Sequence, residues 1–494
     1  MTVKPNPKKL RPYTEPPKQR RPLLPGGPDS AATGFLVAAI LWLAAALGIG
    51  ALAIGARIIS FELSQPLGLF DLSFEFTQRR VDAAFANATV YGFLGNAGLS
   101  AITFMTPRLM GRRLAAEPLV SLAVAIWNLA LLGGIGALYV FDLGPNAHLT
   151  AMHWLFTGGL AFAALIVTGS FLATVGSSVV SAYVSIWFAG IALLGLLGLT
   201  GLAAAINLGD VFLDIPPLAI GLVSVAVERL IISVWLLGMT YAVLHYVVPR
   251  AADLPLASSG LAILTWLLWL AFAPLSGLGA LVDPAVPYAV TTVGSVATML
   301  LLAPVSLAAV NLWQTISSRL VLLTGVSPVA FAAVAVTFLL AVALLDAIFA
   351  IGAVTAYVGG TVWEQGWFVW AAYGAFGVAA LGMLEHELPR LLKRAWGGGV
   401  LSGAQLGLLF GGATIAGLSL MGAGLAEGAF RTQGAAADVV ASGLLPYLVG
   451  AFLGIGLAAL GGLASLVNLF LAYTSAAPAE YIVPGQSAPA AAGH

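Results

Sequence analysis

Twelve long apolar stretches separated by loop-sized gaps limit this chain to one kind of fold. A helix needs about 20 apolar residues to cross about 30 Å of hydrocarbon. Only 8% of the residues are charged and 60% are hydrophobic, whereas soluble domains carry about 25% charged residues. The sequence therefore predicts an all-α integral membrane protein with twelve transmembrane helices, near residues 34–58, 85–106, 117–141, 150–175, 182–206, 217–248, 256–282, 287–313, 328–358, 365–385, 400–425 and 444–473.

The two ends of the chain differ from the membrane domain, which we predict over residues 34–474. Residues 1–33 are rich in proline and basic side chains, and this composition is typical of a disordered tail. Residues 475–494 have the composition of a second disordered tail. A cytoplasmic N-terminus places fifteen lysines and arginines inside and four outside. The bias of basic residues towards the cytoplasm thus predicts a bacterial-type plasma membrane protein with both termini inside.

Charge and cysteine content exclude several functions. Twenty basic and twenty acidic residues give no net charge with which to attract nucleic acid. Without cysteine the chain has no disulfide, thiolate metal site, iron–sulfur cluster or c-type haem attachment. A redox cofactor would depend on methionine or on the five histidines. We expect these at surfaces or interfaces: His148 and His153 outside, His245 near the inner end of the sixth span, His386 in an inner loop, and His494 at the C-terminus.

Short motifs in successive spans carry a family resemblance. They occur in one order along the chain, namely Asn87-Ala88, Gly95-Asn96-Ala97, Pro107-Arg108-Leu109, Trp127-Asn128, residues 182–188 with Asn207, Tyr246-Val247-Val248-Pro249-Arg250, Val286-Pro287 with Asn311 and Thr315, and Leu388-Pro389-Arg390-Leu391. With these motifs the chain resembles the catalytic subunit I of haem–copper oxidases, nearest to the cbb-type cytochrome c oxidase and nitric oxide reductase branch. The resemblance implies a haem–copper oxidase subunit I-like bundle.

The same resemblance implies six metal-ligand histidines, and other residues stand at all six positions. The haem-ligand positions hold Phe85, Trp367 and Val369, and the copper-ligand positions hold Arg229, Gly279 and Ala280. Phenylalanine, tryptophan and valine offer no lone pair to a haem iron. Arginine stays protonated and repels a metal cation. We therefore predict a homologue without haem or copper, in which bulky Phe85 and Trp367 fill former porphyrin volume.

Three charged residues, Glu228, Arg229 and Asp346, fall well inside predicted spans and away from their ends, where a charge is costly and marks pairing or function. Arg229 lies 12 residues from the outer start of the sixth span and Asp346 lies 12 residues from the outer end of the ninth. Both would be roughly 18 Å deep at 1.5 Å per residue, which favours an ion pair. Alternatively, backbone carbonyls, water or Glu228 would satisfy each charge. Adjacent Glu228 cannot share a helix face with Arg229.

These observations leave three functions open. The first is an accessory or scaffold subunit of a respiratory membrane complex, with other membrane subunits and lipids as partners. The second is an active cytochrome c oxidase or nitric oxide reductase subunit, which needs cofactor ligands that the motifs do not supply. The third is a proton- or ion-translocating module that uses Glu228, Arg229 and Asp346.

Overall fold

The computed structural model describes residues 27–60, 62–66, 73–144, 146–323, 328–392 and 399–474. Most of the predicted N-terminal tail, the predicted C-terminal tail and His494 lie outside them. Within this part the protein is almost entirely helical. Twelve long helical runs match the twelve predicted spans, and they are α1 Ser30–Ile59, α2 78–110, α3 Glu117–Ala137, α4 Trp154–Ser181, α5 Val184–Phe212, α6 Pro217–Ala252, α7 Ser259–Ala280, α8 Tyr288–Ser317, α9 Pro328–Phe349, α10 Trp363–Leu392, α11 Gly399–Thr432 and α12 Ala437–Thr474.

Eleven of these runs are long and apolar enough to cross a membrane, and α2 differs from them. Residues 80–106 of α2 are buried without interruption, because the other helices surround it. Its polar residues include Asp82, Asn87 and Asn96, all of which find partners inside the protein. The predicted second span is thus the central helix of the bundle.

Membrane sides are named here by the ends of α1: the Ser30 side and the Ile59 side. A small antiparallel hairpin on the Ile59 side joins α1 to α2 and consists of β1 Leu63–Pro66 and β2 Ser73–Phe76. The ring of Phe74 stacks on Tyr139 with 5.5 Å between ring centroids.

Asparagines of the sequence motifs join helices to one another. Asn96 of α2 and Asn128 of α3 exchange amide hydrogen bonds of 3.1 and 3.0 Å, and the Trp42 indole of α1 donates to Asn128 at 2.8 Å. Asn311 of α8 exchanges two bonds of 2.9 Å with the backbone of Ser258 before α7. A buried amide side chain stabilises the folded protein only when its hydrogen bonds are satisfied. These motif residues therefore determine how the helices pack.

Three of the described helices contain a π-helical segment in their interior. The segments are Ala88–Gly95 in α2, Ile231–Leu236 in α6 and Trp370–Phe376 in α10. Each begins within three residues of Phe85, Arg229 or Val369. Such segments are rare and often accompany functional sites, and here they occur in the three helices that carry most of the ligand positions implied by the resemblance.

Two predicted helix ends differ from the structure in ways that affect the candidate site. The ninth span was expected to reach residue 358, but α9 ends at Phe349 and a separate short helix covers Gly352–Val358. The helix is interrupted at Ile351, whose backbone is extended. Asp346 is therefore three residues from the end of its helix and not 12.

The second error concerns the segment that contains His386. Residues 385–387 belong to α10, which runs to Leu392, and not to an inner loop. His386 is 4% exposed and Glu387 is 0% exposed. His245, expected near an interface, is fully buried, and its Nδ1 lies 2.8 Å from the Tyr241 carbonyl oxygen.

Candidate functional site

Arg229 and Asp346 contact each other across the gap between α6 and α9. Nη1 of Arg229 lies 2.9 Å from Oδ1 of Asp346, and Nη2 donates to Oδ2. The side chains are only 17% and 15% exposed. Two parallel bonds between planar groups form the strongest geometry that an arginine–carboxylate pair adopts. The ion pair that was expected from depth is present, although Asp346 reaches it from near the end of its helix.

Trp367 of α10 joins this pair. Its ring centroid lies 5.8 Å from the guanidinium carbon of Arg229, within the range of cation–π attraction. The three side chains therefore bring α6, α9 and α10 together at one point, and two of them, Arg229 and Trp367, stand where the resemblance implies metal-ligand histidines.

A small cavity borders the pair between α6, α8, α9 and α10. Its volume is about 30 Å³, and its polar lining consists of Arg229, Asp346, Ser233 and Thr298. Aliphatic and aromatic side chains, including Trp367, complete the wall. A polar cavity of this size holds at most a few water molecules and is too small for a porphyrin.

Phe85 lies in an aromatic cluster between α2, α10 and α1. Its ring meets Phe368 edge-on at 5.9 Å and stacks on Tyr373 at 6.3 Å between centroids. The Tyr373 hydroxyl is 2.7 Å from the hydroxyl of Thr89. On the other side the ring lies against α1, so closely that a Cβ on Gly50 would be 2.6 Å from it. Aromatic side chains therefore fill the space around Phe85.

Gly279 and Ala280 lie in the 3-10 turn Gly277–Ala280 that ends α7. A Cβ on Gly279 would be 3.0 Å from backbone atoms of Gly294 and Ser295 in α8. A Cβ on Gly294 would be 1.8 Å from the Gly279 nitrogen. Backbone packs on backbone here, and the contact leaves no room for an imidazole at Gly279.

The residues at these six positions do not fit haem or copper. Val369 is 1% exposed within the apolar core and, like the two aromatic residues, offers no donor. In the described residues, no group of three or more histidine or acidic side chains is placed to hold a metal ion. We therefore assign no step of chemistry to a metal or porphyrin at this site.

Glu228 faces away from Arg229, as adjacency on a helix requires. Its Oε1 lies 4.0 Å from Nδ1 of His148, which is 49% exposed and begins the turn His148–Thr150 on the Ile59 side. Desolvation by the surrounding protein lowers the pKa of His148, and the nearby Asp82 carboxylate partly opposes this effect. The three intramembrane charges therefore form two separate contacts and not one chain.

The role of Asp82, which falls outside the predicted spans, was not predicted from the sequence. Its carboxylate, 10% exposed, accepts hydrogen bonds from Arg57 at 2.5 Å, from Gln78 at 2.8 Å and from Gln365 at 3.0 Å. These residues link α1, α2 and α10 on the Ile59 side. The sequence signal for this contact was the pair Arg57 and Asp82, two opposite charges near the ends of consecutive spans on the same side of the membrane.

Comparisons with known proteins agree with this architecture. The family model of "Cytochrome C and Quinol oxidase polypeptide I" matches residues 30–457. A solved chain titled "Cryo-EM structure of a heme-copper terminal oxidase dimer provides insights into its catalytic mechanism" is similar in fold, with a TM-score of 0.68 and 14% sequence identity. The match covers 91% of this chain and 85% of that one. No curated protein matches.

Proposed function

Because this chain belongs to the cytochrome c and quinol oxidase polypeptide I family, we propose that it is a haem-free, copper-free member that acts as an accessory or scaffold subunit of a respiratory membrane complex. Its partners are other membrane subunits and lipids. The proposal includes a plasma membrane location with both termini in the cytoplasm, which the distribution of basic residues favours.

One observation carries this proposal: Arg229 forms a largely buried two-point ion pair with Asp346, and Trp367 lies beside it. The family resemblance gives the positions of Arg229 and Trp367 to metal-ligand histidines. A guanidinium that is already bonded at two points cannot donate a lone pair to a metal. It does supply a fixed positive charge to a polar cavity. We therefore assign the pair a structural role, in which it joins α6 to α9.

The second line of support is that the motif asparagines join helices, whereas the positions that the resemblance gives to metal ligands hold residues without a suitable donor. Asn96, Asn128 and Asn311 make the bonds that set helix packing. Phe85 and its aromatic neighbours fill the space between α2 and α10. A chain selected only as a scaffold needs the first set of residues and gains stability from a filled core at the second.

Cofactor content of the protein purified from its native membrane tests the proposal. We expect a pyridine haemochrome assay and metal analysis to give far less than one haem or copper per chain. We also expect other membrane subunits to co-purify in fixed stoichiometry. One haem per chain would overturn the proposal and support an active oxidase or nitric oxide reductase subunit. A chain that purifies alone and without cofactor would overturn the scaffold role.

A second candidate function is proton or ion translocation. The observation in its favour is that Arg229 and Asp346 lie in spanning helices and line a polar cavity, and that Glu228 lies in the same helix as Arg229. Proton flux into liposomes that contain the purified protein tests it. Flux that is abolished by Arg229→Leu, in a variant that still folds, would support translocation over a scaffold.

A further inference from the structure

Glu387 is a buried carboxyl group that the proposed function does not use. It lies on α10, close to its end on the Ser30 side, and is 0% exposed. Its Oε2 is 2.8 Å from the hydroxyl oxygen of Ser100 on α2. In the described part of the protein its Oε1 has no hydrogen-bond partner. An ionised carboxylate has about four acceptor sites to satisfy, and this one would have a single donor.

The hydrogen bonds of the Ser100 hydroxyl indicate that the carboxyl group of Glu387 carries a proton. The hydroxyl oxygen of Ser100 is also 2.9 Å from the carbonyl oxygen of Ala32 on α1. A serine hydroxyl carries one hydrogen, so it cannot make a full two-centre bond to both Ala32 and Glu387. Both contacts are full hydrogen bonds only if Ser100 donates to the Ala32 carbonyl and the carboxyl group of Glu387 donates to Ser100. The second bond requires a proton on Oε2.

The charges around Glu387 are engaged elsewhere. Arg108 of α2 forms two bonds of 2.9 and 2.8 Å with Asp29, which precedes α1. Arg390 of α10 donates to the carbonyl oxygen of His386. Arg108 and Arg390 offset only part of the cost of burying an ionised Glu387 because neither is bonded to it, and taking up a proton removes that cost.

The same neighbourhood contains two partly exposed residues. Asp29 and Arg108 are 32% and 31% exposed, and Asp29 is three residues before Ala32. The Ala32 carbonyl, at one end of the hydrogen-bond chain to Glu387, therefore lies about one helical turn from the partly exposed Asp29–Arg108 pair on the Ser30 side.

We propose that Glu387 is a proton-binding site: its carboxyl group is neutral at neutral pH, and its proton exchanges with water on the Ser30 side. The exchange is a simple transfer in which the proton on Oε2 passes to a water molecule and returns. This site is separate from the Arg229–Asp346 pair and does not depend on the proposed scaffold role.

Infrared spectroscopy of the purified full-length chain tests the site. A protonated carboxyl group has a carbonyl stretch above the amide I band, and this stretch moves to lower frequency in D₂O. We expect such a band in the wild-type protein, its shift in D₂O, and its loss in Glu387→Gln, whose amide can still donate to Ser100. Glu385→Gln is the matched control, because Glu385 is partly buried two residues away and accepts a bond from Ser402 at 3.3 Å. The Glu387 band should remain in that variant.

A second variant keeps the test valid if Glu387→Gln does not fold. Ser100→Ala removes the oxygen that accepts the carboxyl proton, so the band should move to higher frequency. A wild-type spectrum without a band that responds to these substitutions would show an ionised Glu387 and overturn the proposal. A band that does not shift after prolonged exposure to D₂O would overturn it as well, because the proton would then be sealed from water.

Discussion

The guanidinium of Arg229 and the carboxylate of Asp346 bond at two points across the gap between α6 and α9, and they are only 17% and 15% exposed. Because both charges are mostly shielded from water, each depends on the other. Removing one leaves its partner charged and poorly solvated, whereas removing both leaves an apolar contact. The single and double variants should therefore differ in their free energy of unfolding.

Arg229→Leu should lower the free energy of unfolding by roughly 2–3 kcal/mol, below the 3–5 kcal/mol typical of fully buried pairs because some water reaches the site. The double variant Arg229→Leu with Asp346→Leu should recover most of that loss. Denaturant unfolding of the four proteins in one detergent measures the coupling energy. Additive losses in the double variant would show that the two residues are not coupled.

The helical spans were predictable from sequence, because about 20 apolar residues have only one stable form in hydrocarbon. The family fold was predictable as well, because motif residues such as Asn96 and Asn128 were readable in order. The end of α9 was not. Residues 350–358 are apolar enough to continue a span, and hydropathy cannot detect the extended backbone at Ile351 that ends it.

The candidate site was predictable only in part. The sequence indicated that Arg229 and Asp346 carry opposite charges at similar depth. It did not indicate that their helices are neighbours, because helix packing decides this. Glu385-His386-Glu387 was expected in a loop because two carboxylates and an imidazole are costly in a membrane. The structure continues α10 through them, with Glu387 against Ser100 of α2. That contact joins residues that are 287 positions apart, and no local pattern encodes it.

Phe85 and Gly50 should be coupled through the space they share. Phe85→Ala removes a buried ring, which typically costs about 3–5 kcal/mol. Gly50→Ala adds a Cβ 2.6 Å from that ring, and overpacking of this kind costs about 1–3 kcal/mol. The double variant should lose less than the sum, because the new methyl group enters the vacated space. Thermal unfolding followed by circular dichroism measures all three, and strict additivity would contradict the contact.

The close contact between α7 and α8 should make Gly294 intolerant of any side chain. A Cβ there would lie 1.8 Å from the backbone nitrogen of Gly279, which cannot move as a flexible side chain could. Gly294→Ala should therefore cost 3 kcal/mol or more, at the upper end of the usual overpacking penalty of about 1–3 kcal/mol. The yield of folded protein and its melting temperature report the effect.

Gly198 provides the matched control for Gly294. It lies in the middle of α5, and nothing lies within 4 Å of the position that its Cβ would occupy. Gly198→Ala should be neutral or slightly stabilising, because alanine favours the helix by up to about 1 kcal/mol. Equal effects of the two substitutions would mean that the backbones of Gly279 and Gly294 are farther apart than the structure has them.

His148 should make the protein less stable in mild acid. Desolvation lowers the pKa of this imidazole below its ordinary value of 6.5, so the unfolded chain takes up a proton at a higher pH than the folded one does. Stability then falls as pH decreases from about 6.5 towards the lower folded-state pKa. Because the side chain is 49% exposed, the effect should be small.

The melting temperature of the wild type, measured from pH 8 to pH 5 relative to His148→Gln, should fall as the solution becomes more acidic. The opposite sign would mean that attraction to Glu228, 4.0 Å away, outweighs desolvation and holds the proton on His148.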